Sequence, residues 1–241
     1  MRYLILAILT SLLTGCATSD VVQPDNKFAK NFQAPDRSKR IVLLPSKVDA
    51  PQFASGGSVV NRQLYAQLQR ANYKVAVLDE KNYVETWGQE VAAVGGIYDP
   101  QSGRFRPDAY VRALSSLVKR IAAEVDCSMV LAPRFVLQSA KVSHSSASWD
   151  GVTRAEHEKD EVLMSNLKYE YDGTAAGLSL ELMAFNDKGE WEFTTYGGIL
   201  LPYQSDVKKK KGVLRSDLFS DPKEIREATD LVLSPLQSVK Q

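Results

Sequence analysis

The amino-acid sequence predicts an α/β domain with a mixed sheet, in which a parallel β-α-β start leads into an antiparallel meander and helices flank the sheet. Residues 40–45 and 74–79 are apolar runs separated by a segment with helical spacing, an arrangement that forms a parallel pair through a right-handed crossover. Residues 107–125 carry the broad apolar stripe of an amphipathic helix. From Cys127 onwards the period changes from that of a helix to that of strands, and apolar and polar side chains alternate in 163–171 and 178–182.

Caps and turn residues place the elements of the first half. The pair Gly56-Gly57 is expected in a loop, after which Ser58 caps a helix that ends at Asn72. The strand at 74–79 and a looser helix with its loop at 81–99 follow. A proline at the first turn then introduces the amphipathic helix at 107.

The second half is expected to be a meander followed by a closing helix. Pro133 favours a sheet edge or a bulge within the first long strand, and Ser179 and Glu181 are expected on the wet face of a later strand. Gly197-Gly198 indicates a bulge or a close backbone approach. The remaining predicted elements are strand 129–142, polar loop 144–160, strand 163–171, turn Asp172-Gly173, strand 178–182, turn 186–189, strand 190–193 and a helix capped by Asp221 with Pro222 and Glu224.

The amino terminus has the features of a secretion signal. Arg2 precedes an apolar run that is too short to span a bilayer permanently. The run ends in Leu13-Thr14-Gly15-Cys16, which resembles the lipobox of bacterial lipoproteins. The resemblance implies that residues 1–15 are removed and that Cys16 is lipidated, which would anchor the protein in a membrane. The alternative is an ordinary secretory signal with a chance cysteine.

Residues 16–39 are polar and contain prolines and asparagines without sustained periodicity, which predicts a lipidated flexible tether. Ala17 follows the cysteine where enterobacterial lipoproteins retained at the inner membrane have Asp, so the resemblance implies outer-membrane delivery, with the domain facing the periplasm. Residues 40–241 then form a single periplasmic α/β domain.

Composition excludes one class of partner. The chain has 30 basic and 29 acidic residues, so it lacks the charge excess of an electrostatic nucleic-acid binder. Cys127 is the only cysteine besides Cys16 and lies in an apolar run, which predicts a small buried hydrophobic side chain rather than a reactive thiol.

The order of these features resembles a broad superfamily of envelope proteins. Its members include the curli-secretion lipoprotein CsgG, the polysaccharide-export lipoprotein PelC, the peptidoglycan-synthase activator LpoB and the amino-terminal domain of TolB. The resemblance rests on the lipobox, the polar segment, the strand at 40–45, the glycine pair before the first helix and the strand at 74–79. It implies a protein that binds other proteins or forms rings and is not an enzyme. The polar residues of 141–162 depart from the membrane-facing hairpin that a curli-type pore requires.

The polar loop contains the candidate chemistry. His144 and His157 lie there among carboxylates, which makes a metal site conceivable, but the mixture of charges favours a solvated surface loop. Trp149, Asp150 and Gly151 form a candidate interaction surface, because a tryptophan in a polar stretch either packs back as an anchor or is presented to a partner. The basic run 208–211 favours a solvated loop over a contact with headgroups or a glycan.

These observations together predict a non-catalytic, lipid-anchored periplasmic protein without a cofactor or a metal. Its partners would be envelope proteins or further copies of itself, in envelope assembly, export or cell-wall processes. The alternatives are a periplasmic metal-dependent hydrolase and a binder of a glycan or another small ligand, both using the 144–160 loop.

Overall fold

A computed structural model of the chain describes residues 21–78, 80–143, 146–155, 173–206 and 211–237. These residues form a mixed α/β fold, as the sequence predicts, with a short 3-10 turn before the first helix. The strands are β1 (Lys27–Phe28), β2 (Arg40–Leu43), β3 (Lys74–Val77), β4 (Met129–Ser143), β5 (Ser146–Trp149), β6 (Val152–Ala155), β7 (Gly173–Asn186), β8 (Trp191–Leu200), β9 (Tyr203–Asp206) and β10 (Lys211–Leu214). The helices are α1 (Ala54–Arg70), α2 (Glu80–Ala93), α3 (Pro107–Glu124) and α4 (Pro222–Gln237).

The main sheet has the order β1-β8-β7-β4-β2-β3, and the β5–β6 hairpin extends it from β4. Strand β2 pairs in parallel with both β3 and β4. The pairs β4–β7 and β7–β8 are antiparallel, as are the short pairs at β1 and at the hairpin. Strands β9 and β10 form a separate two-stranded ribbon. None of the helices in the described ranges is long and apolar enough to cross a membrane.

Helices cover both faces of the sheet. Helices α1 and α4 pack on one face and α3 packs on the other. Alternate residues of β2 therefore enter different cores, with Ile41 and Leu43 facing α1 while Val42 and Leu44 face α3. This double burial explains why β2 appears in the sequence as an uninterrupted apolar run.

Strand β7 is buried on both faces from Gly177 to Leu182, so the wet face expected for this part of the meander was wrong, whereas Leu137 in the second half of β4 is 51% exposed. Ser179 and Glu181 in β7 are 0% and 3% exposed. Pro133 likewise lies inside the sheet, where it is the partner of Leu182 on β7. Its carbonyl accepts a hydrogen bond from the backbone N–H of Lys47, which lies beyond the end of β2. Because the N–H and C=O of a strand residue point to the same side, the missing N–H of Pro133 removes no hydrogen bond between β2 and β4.

The glycine pair is part of α1, and Ser58 is not its cap, because the helix begins at Ala54. Gly56 is buried, and a Cβ added there would lie 2.4 Å from the ring of Phe219. Gly56 is thus explained by close packing against the segment before α4, whereas a Cβ on Gly57 would make only ordinary contacts, with Val48 and Ser46. The predicted end of the helix is confirmed, since Asn72 has a positive φ of 64°.

Residues 21–39 lie along the domain instead of forming a free tether. Strand β1 pairs with β8, and Ala29 donates its backbone N–H to Glu192. Phe32 packs edge-on against Phe193 at 5.1 Å between ring centroids. The folded domain therefore starts before residue 40, and the tether predicted for 16–39 is corrected over its described part.

The predicted polar loop 144–160 is also corrected over its described part, because residues 146–155 form the β5–β6 hairpin. The glycines of β8 confirm the predicted close approach. A Cβ on Gly197 would lie 2.4 Å from the carbonyl oxygen of Ala228 in α4. The predicted strand 163–171 and the Asp172 position of its turn lie outside the described residues.

Candidate functional site

Trp149 is the centre of a small third core. Its side chain is 1% exposed and packs with Ala140, Val142, Val152 and Leu201. The space for the indole is provided by glycines at 177 and 198, whose added Cβ atoms would lie 2.5 Å and 3.0 Å from the ring. The sequence left two alternatives for this tryptophan, a packed anchor or a side chain presented to a partner. The structure shows the packed anchor. The indole face is therefore not available for stacking on a glycan.

The indole N–H is the start of a buried polar chain. Trp149 Nε1 donates to Ser179 Oγ at 3.0 Å, and the Ser179 hydroxyl donates to Asp150 Oδ2 at 2.6 Å. Burial raises the pKa of Asp150, against the lowering effect of the Ser179 hydrogen bond and with a further increase from Asp25. These hydrogen bonds explain why a serine occupies the buried position 179, because its hydroxyl accepts the hydrogen bond of the buried indole N–H.

Asp150 and Gly151 form the hairpin turn with φ angles of 38° and 82°. Two successive positive φ values are typical of the type I′ turn that suits a two-residue hairpin. The turn folds back onto β8, where Gly198 donates its N–H to the Asp150 carbonyl at 3.0 Å. The N–H of Gly151 in turn donates to the carbonyl of Val22 at 2.9 Å, so the chain's own amino-terminal segment covers part of the predicted interaction surface.

A second polar cluster, which the sequence analysis missed, lies between the sheet and α3. Arg134 on β4 and Glu181 on β7 are register partners, and Nε approaches Oε2 to 2.6 Å. The guanidinium carbon lies 4.9 Å from the ring centroid of Tyr110 and 5.1 Å from that of Phe105. Tyr196 on β8 donates its hydroxyl to Glu181 Oε1 at 2.9 Å. The available signal was one arginine inside the apolar run 129–137.

The electrostatics of this cluster favour the charged pair and the neutral phenols. Burial disfavours the guanidinium charge, but the attraction of Glu181 outweighs it and raises the pKa of Arg134. Burial also raises the pKa of Tyr110, although Arg134 opposes the change. For Tyr196, burial and then the Glu181 carboxylate raise the pKa of the phenol. Both phenols thus stay protonated at neutral pH, and the cluster holds three strands and α3 together.

The loop after β2 extends this cluster towards the surface. Lys47 contacts the Asp49 carboxylate, and its ammonium lies 5.8 Å from the Tyr110 ring centroid. Burial and then the Asp49 charge raise the pKa of Tyr98, which is 41% exposed at the rim. The charged groups are therefore paired with one another or placed over rings, which is the arrangement of a structural cluster.

Among the described residues, β3 is one edge strand of the main sheet, and the two-residue strand β1 is at the other end. The N–H of Leu78 donates to Leu43, so by strand alternation the backbone groups of Val75 and Val77 point away from β2. The Val77 side chain is 54% exposed. An apolar edge whose backbone donors and acceptors point away from the sheet is a surface to which another strand can add.

A groove of about 230 Å³ lies between α1 and the start of α4. Arg62, Gln63 and Ser220 are its polar lining residues, and Phe219 lies at its base. The groove is smaller than the clefts that usually hold drug-sized ligands, about 300–1,000 Å³. It therefore supplies no ligand assignment.

Several predicted site residues are not described. Cys16, His144, His157 and the lysines at 208–210 lie outside the described residues. Within the described ranges, no group of three His, Cys, Asp or Glu side chains is placed to hold a metal. Cys127 is a buried free thiol, in agreement with the sequence, and burial raises its pKa.

No family model and no curated protein matches this sequence. Among solved structures, a PelC dodecamer from Paraburkholderia phytofirmans has a TM-score of 0.43 at 9% identity, covering 89% of this chain and 99% of that chain. A second PelC dodecamer from Paraburkholderia phytofirmans has a TM-score of 0.41 at 12% identity, covering 90% of this chain and 100% of that chain. A hypothetical protein from Chlamydia trachomatis has a TM-score of 0.35 at 9% identity, covering 83% and 96%. At TM-scores below 0.5, none of these likenesses carries a conclusion about this chain.

Proposed function

We propose that this protein is a non-catalytic lipoprotein, anchored through Cys16 in the outer membrane with its domain in the periplasm, which binds a partner protein or further copies of itself. The observation that carries the binding role is the open edge at β3. Its outward backbone groups and the exposed Val77 side chain offer a site for strand addition. The anchor rests on the lipobox at residues 13–16.

The composition of the edge supports a binding role. Soluble proteins usually protect sheet edges with very short strands, charged side chains, a proline or a bulge, because an open edge recruits other strands. Here Lys74 is the one charged residue of β3, and it stands at the beginning of the strand. The two residues whose backbone groups point away from β2, Val75 and Val77, are both apolar, which suits a specific partner strand.

The state of the buried charges supports a structural assignment for them. Arg134 is paired with Glu181, and Lys47 contacts Asp49. A catalytic acid, base or nucleophile has to reach a substrate, whereas these groups are directed at one another and at surrounding rings. The proposal therefore assigns the function to the surface of the domain.

The binding role is tested by two substitutions at one position. Val77→Pro removes an outward N–H and leaves the hydrogen bonds to β2, whereas the control Val77→Thr keeps the N–H and the side-chain shape. After crosslinking in intact membranes and purification, we expect the wild type and Val77→Thr to yield the same crosslinked species and Val77→Pro to lose it. Equal yields from all three proteins, or a solitary monomer in each, would contradict the assignment to β3.

The anchor is tested separately. The wild type should carry acyl chains on Cys16, detectable by mass spectrometry, and should fractionate with the outer membrane. Cys16→Ser should lose both properties while the domain keeps its circular dichroism spectrum. A soluble wild-type protein with an unmodified Cys16 would contradict the lipoprotein assignment.

A further inference from the structure

The amino-terminal segment is fixed to the domain a few residues after the cysteine. Val22 donates its N–H to Ser148 Oγ at 2.9 Å and accepts a hydrogen bond from Gly151, so it is attached to both sides of the hairpin turn. Asn26 Oδ1 then accepts a hydrogen bond from the backbone N–H of Tyr196 at 2.9 Å. The segment is thus held from residue 22 onwards.

We propose that the end of the domain formed by the Asp150-Gly151 turn and the start of the β9–β10 ribbon faces the lipid surface and lies against its headgroups. This inference rests on the proposed lipidation of Cys16. In place of a long flexible tether, only residues 17–21 would connect the lipidated cysteine to the first held residue. We call this segment the leash, and its short length would set the orientation of the domain.

The length of the leash follows from the sequence. Val22, the first residue that is held, is the sixth residue after Cys16, and an extended chain spans at most about 3.3–3.6 Å per residue. The first fixed residue can therefore lie no further than roughly 20 Å from the lipidated cysteine. A free tether of all the residues from 16 to 39 would reach several times further.

The attachment of this segment is extensive enough to keep the leash short. Lengthening it would require loss of the two hydrogen bonds of Val22, the Asn26 contact and the β1 ladder. It would also separate Phe28 and Phe32 from Phe193, where the rings are 6.1 Å and 5.1 Å apart. Freeing the segment therefore costs several hydrogen bonds and an aromatic cluster together.

The side chains at this end of the domain fit a lipid surface. The segment runs antiparallel to β8, so Val22 lies near the carboxyl end of that strand and the β9–β10 ribbon starts there as well. Four large apolar side chains are exposed at this end, with Val21, Val22, Tyr203 and Leu214 between 37% and 39% exposed. Tyr203 and Leu214 are cross-strand partners at the base of the ribbon. Half-exposed aliphatic and tyrosine side chains are suited to the headgroup region.

Energy transfer from a labelled residue to a headgroup dye tests the orientation. The lipidated protein carries Cys127→Ala and one new cysteine, either Ser216→Cys beside the ribbon or Lys188→Cys in the β7–β8 turn. It is placed in vesicles of phosphatidylethanolamine and phosphatidylglycerol that contain an acceptor-labelled lipid. Strand β8 separates the two positions by about 30 Å at ~3.3 Å per residue, so transfer from position 216 should be roughly twofold or more the transfer from position 188.

A lengthened leash is the matched control. Insertion of a Gly/Ser linker of about twenty residues after residue 19 leaves every described contact in place and should nearly equalise the two transfers. Equal transfer from both positions without the insertion, on a protein with lipidated Cys16, would overturn the orientation and leave the anchor standing. An unmodified Cys16, checked by mass spectrometry, would overturn both proposals.

Discussion

Arg134 and Glu181 form an ion pair across the β4–β7 ladder in which the guanidinium Nε lies 2.6 Å from the carboxylate Oε2. Their side chains are 14% and 4% exposed, and the pair lies between Phe105, Tyr110 and the Tyr196 hydroxyl. Because each charge is removed from water, each depends on the other for compensation. The pair is therefore sensitive to the loss of one partner and tolerant of the loss of both.

Removal of one member should be costly. Glu181→Leu leaves Arg134 buried and uncompensated, so we expect the free energy of unfolding to fall by about 3–5 kcal/mol. The double variant Arg134→Met/Glu181→Leu should be more stable than Glu181→Leu alone, since it contains no orphaned charge. Urea denaturation followed by circular dichroism measures both.

An exposed ion pair is the control for this series. Lys27 and Asp25 are 3.2 Å apart with side chains 62% and 83% exposed. Asp25→Asn should cost less than about 1 kcal/mol, because water screens such pairs. If Glu181→Leu cost no more than Asp25→Asn, the buried pair would have no special role.

The packing around Trp149 makes a second prediction. A Cβ on Gly177 would lie 2.5 Å from the indole ring, and one on Gly198 would lie 2.3 Å from Val152. Gly177→Ala and Gly198→Ala should each lower the free energy of unfolding by about 1–3 kcal/mol through overpacking. The control Gly88→Ala in α2 has open space around its Cβ and should stabilise by roughly 0.5–1 kcal/mol in the same urea titration. A neutral result at both strand positions would contradict the tight packing.

The sequence predicted the elements whose side chains have a clear period. Helix α3 has one apolar stripe, β4 begins with a long apolar run, and α4 has its capping residues, so their positions follow from local pattern alone. The attachment of residues 21–39 could not be predicted in this way. Strand β1 joins β8 through backbone hydrogen bonds, which leave little mark on the choice of side chains.

The two buried polar clusters could not be predicted from the sequence for a related reason. Glu181 and Ser179 have the alternation of a solvent-facing row, and only their partners distinguish a buried row from a wet one. Those partners are distant in sequence, since Arg134 lies 47 positions from Glu181 and Trp149 lies 30 positions from Ser179. The two alternatives for Trp149 remain open in the sequence for the same reason, because the glycines that accommodate the indole lie on β7 and β8.

A third prediction concerns the amino-terminal segment. Phe32 packs against the main core and edge-on to Phe193, whereas Phe28 is 46% exposed. Phe32→Ala should cost about 2–4 kcal/mol of unfolding free energy and Phe28→Ala clearly less, because less apolar surface is lost. A fragment that begins at residue 40 should be less stable than either variant. Equal stability of that fragment and of one beginning at residue 21 would contradict the attachment of this segment.

The final prediction uses the raised pKa of Asp150. Because burial raises this pKa above its ordinary 3.8, the folded state binds the proton more tightly than the unfolded state. The carboxyl group therefore destabilises the fold increasingly as the pH rises above 3.8, until it is ionised in both states. Asp150→Asn removes this penalty, and its side-chain carbonyl can still accept from Ser179.

The same substitution also suits the backbone, since Asn tolerates the positive φ of 38° and Asn-Gly is favoured in type I′ turns. We expect Asp150→Asn to be more stable than the wild type at pH 7 and the difference to shrink towards pH 4. Urea titrations at both pH values measure it. The comparison variant Asp150→Ala lacks the acceptor for Ser179 and fits the turn poorly, so it should be less stable than Asp150→Asn at every pH. A difference between Asp150→Asn and the wild type that grew as the pH fell would have the wrong sign for a raised pKa and would refute the burial of this carboxyl.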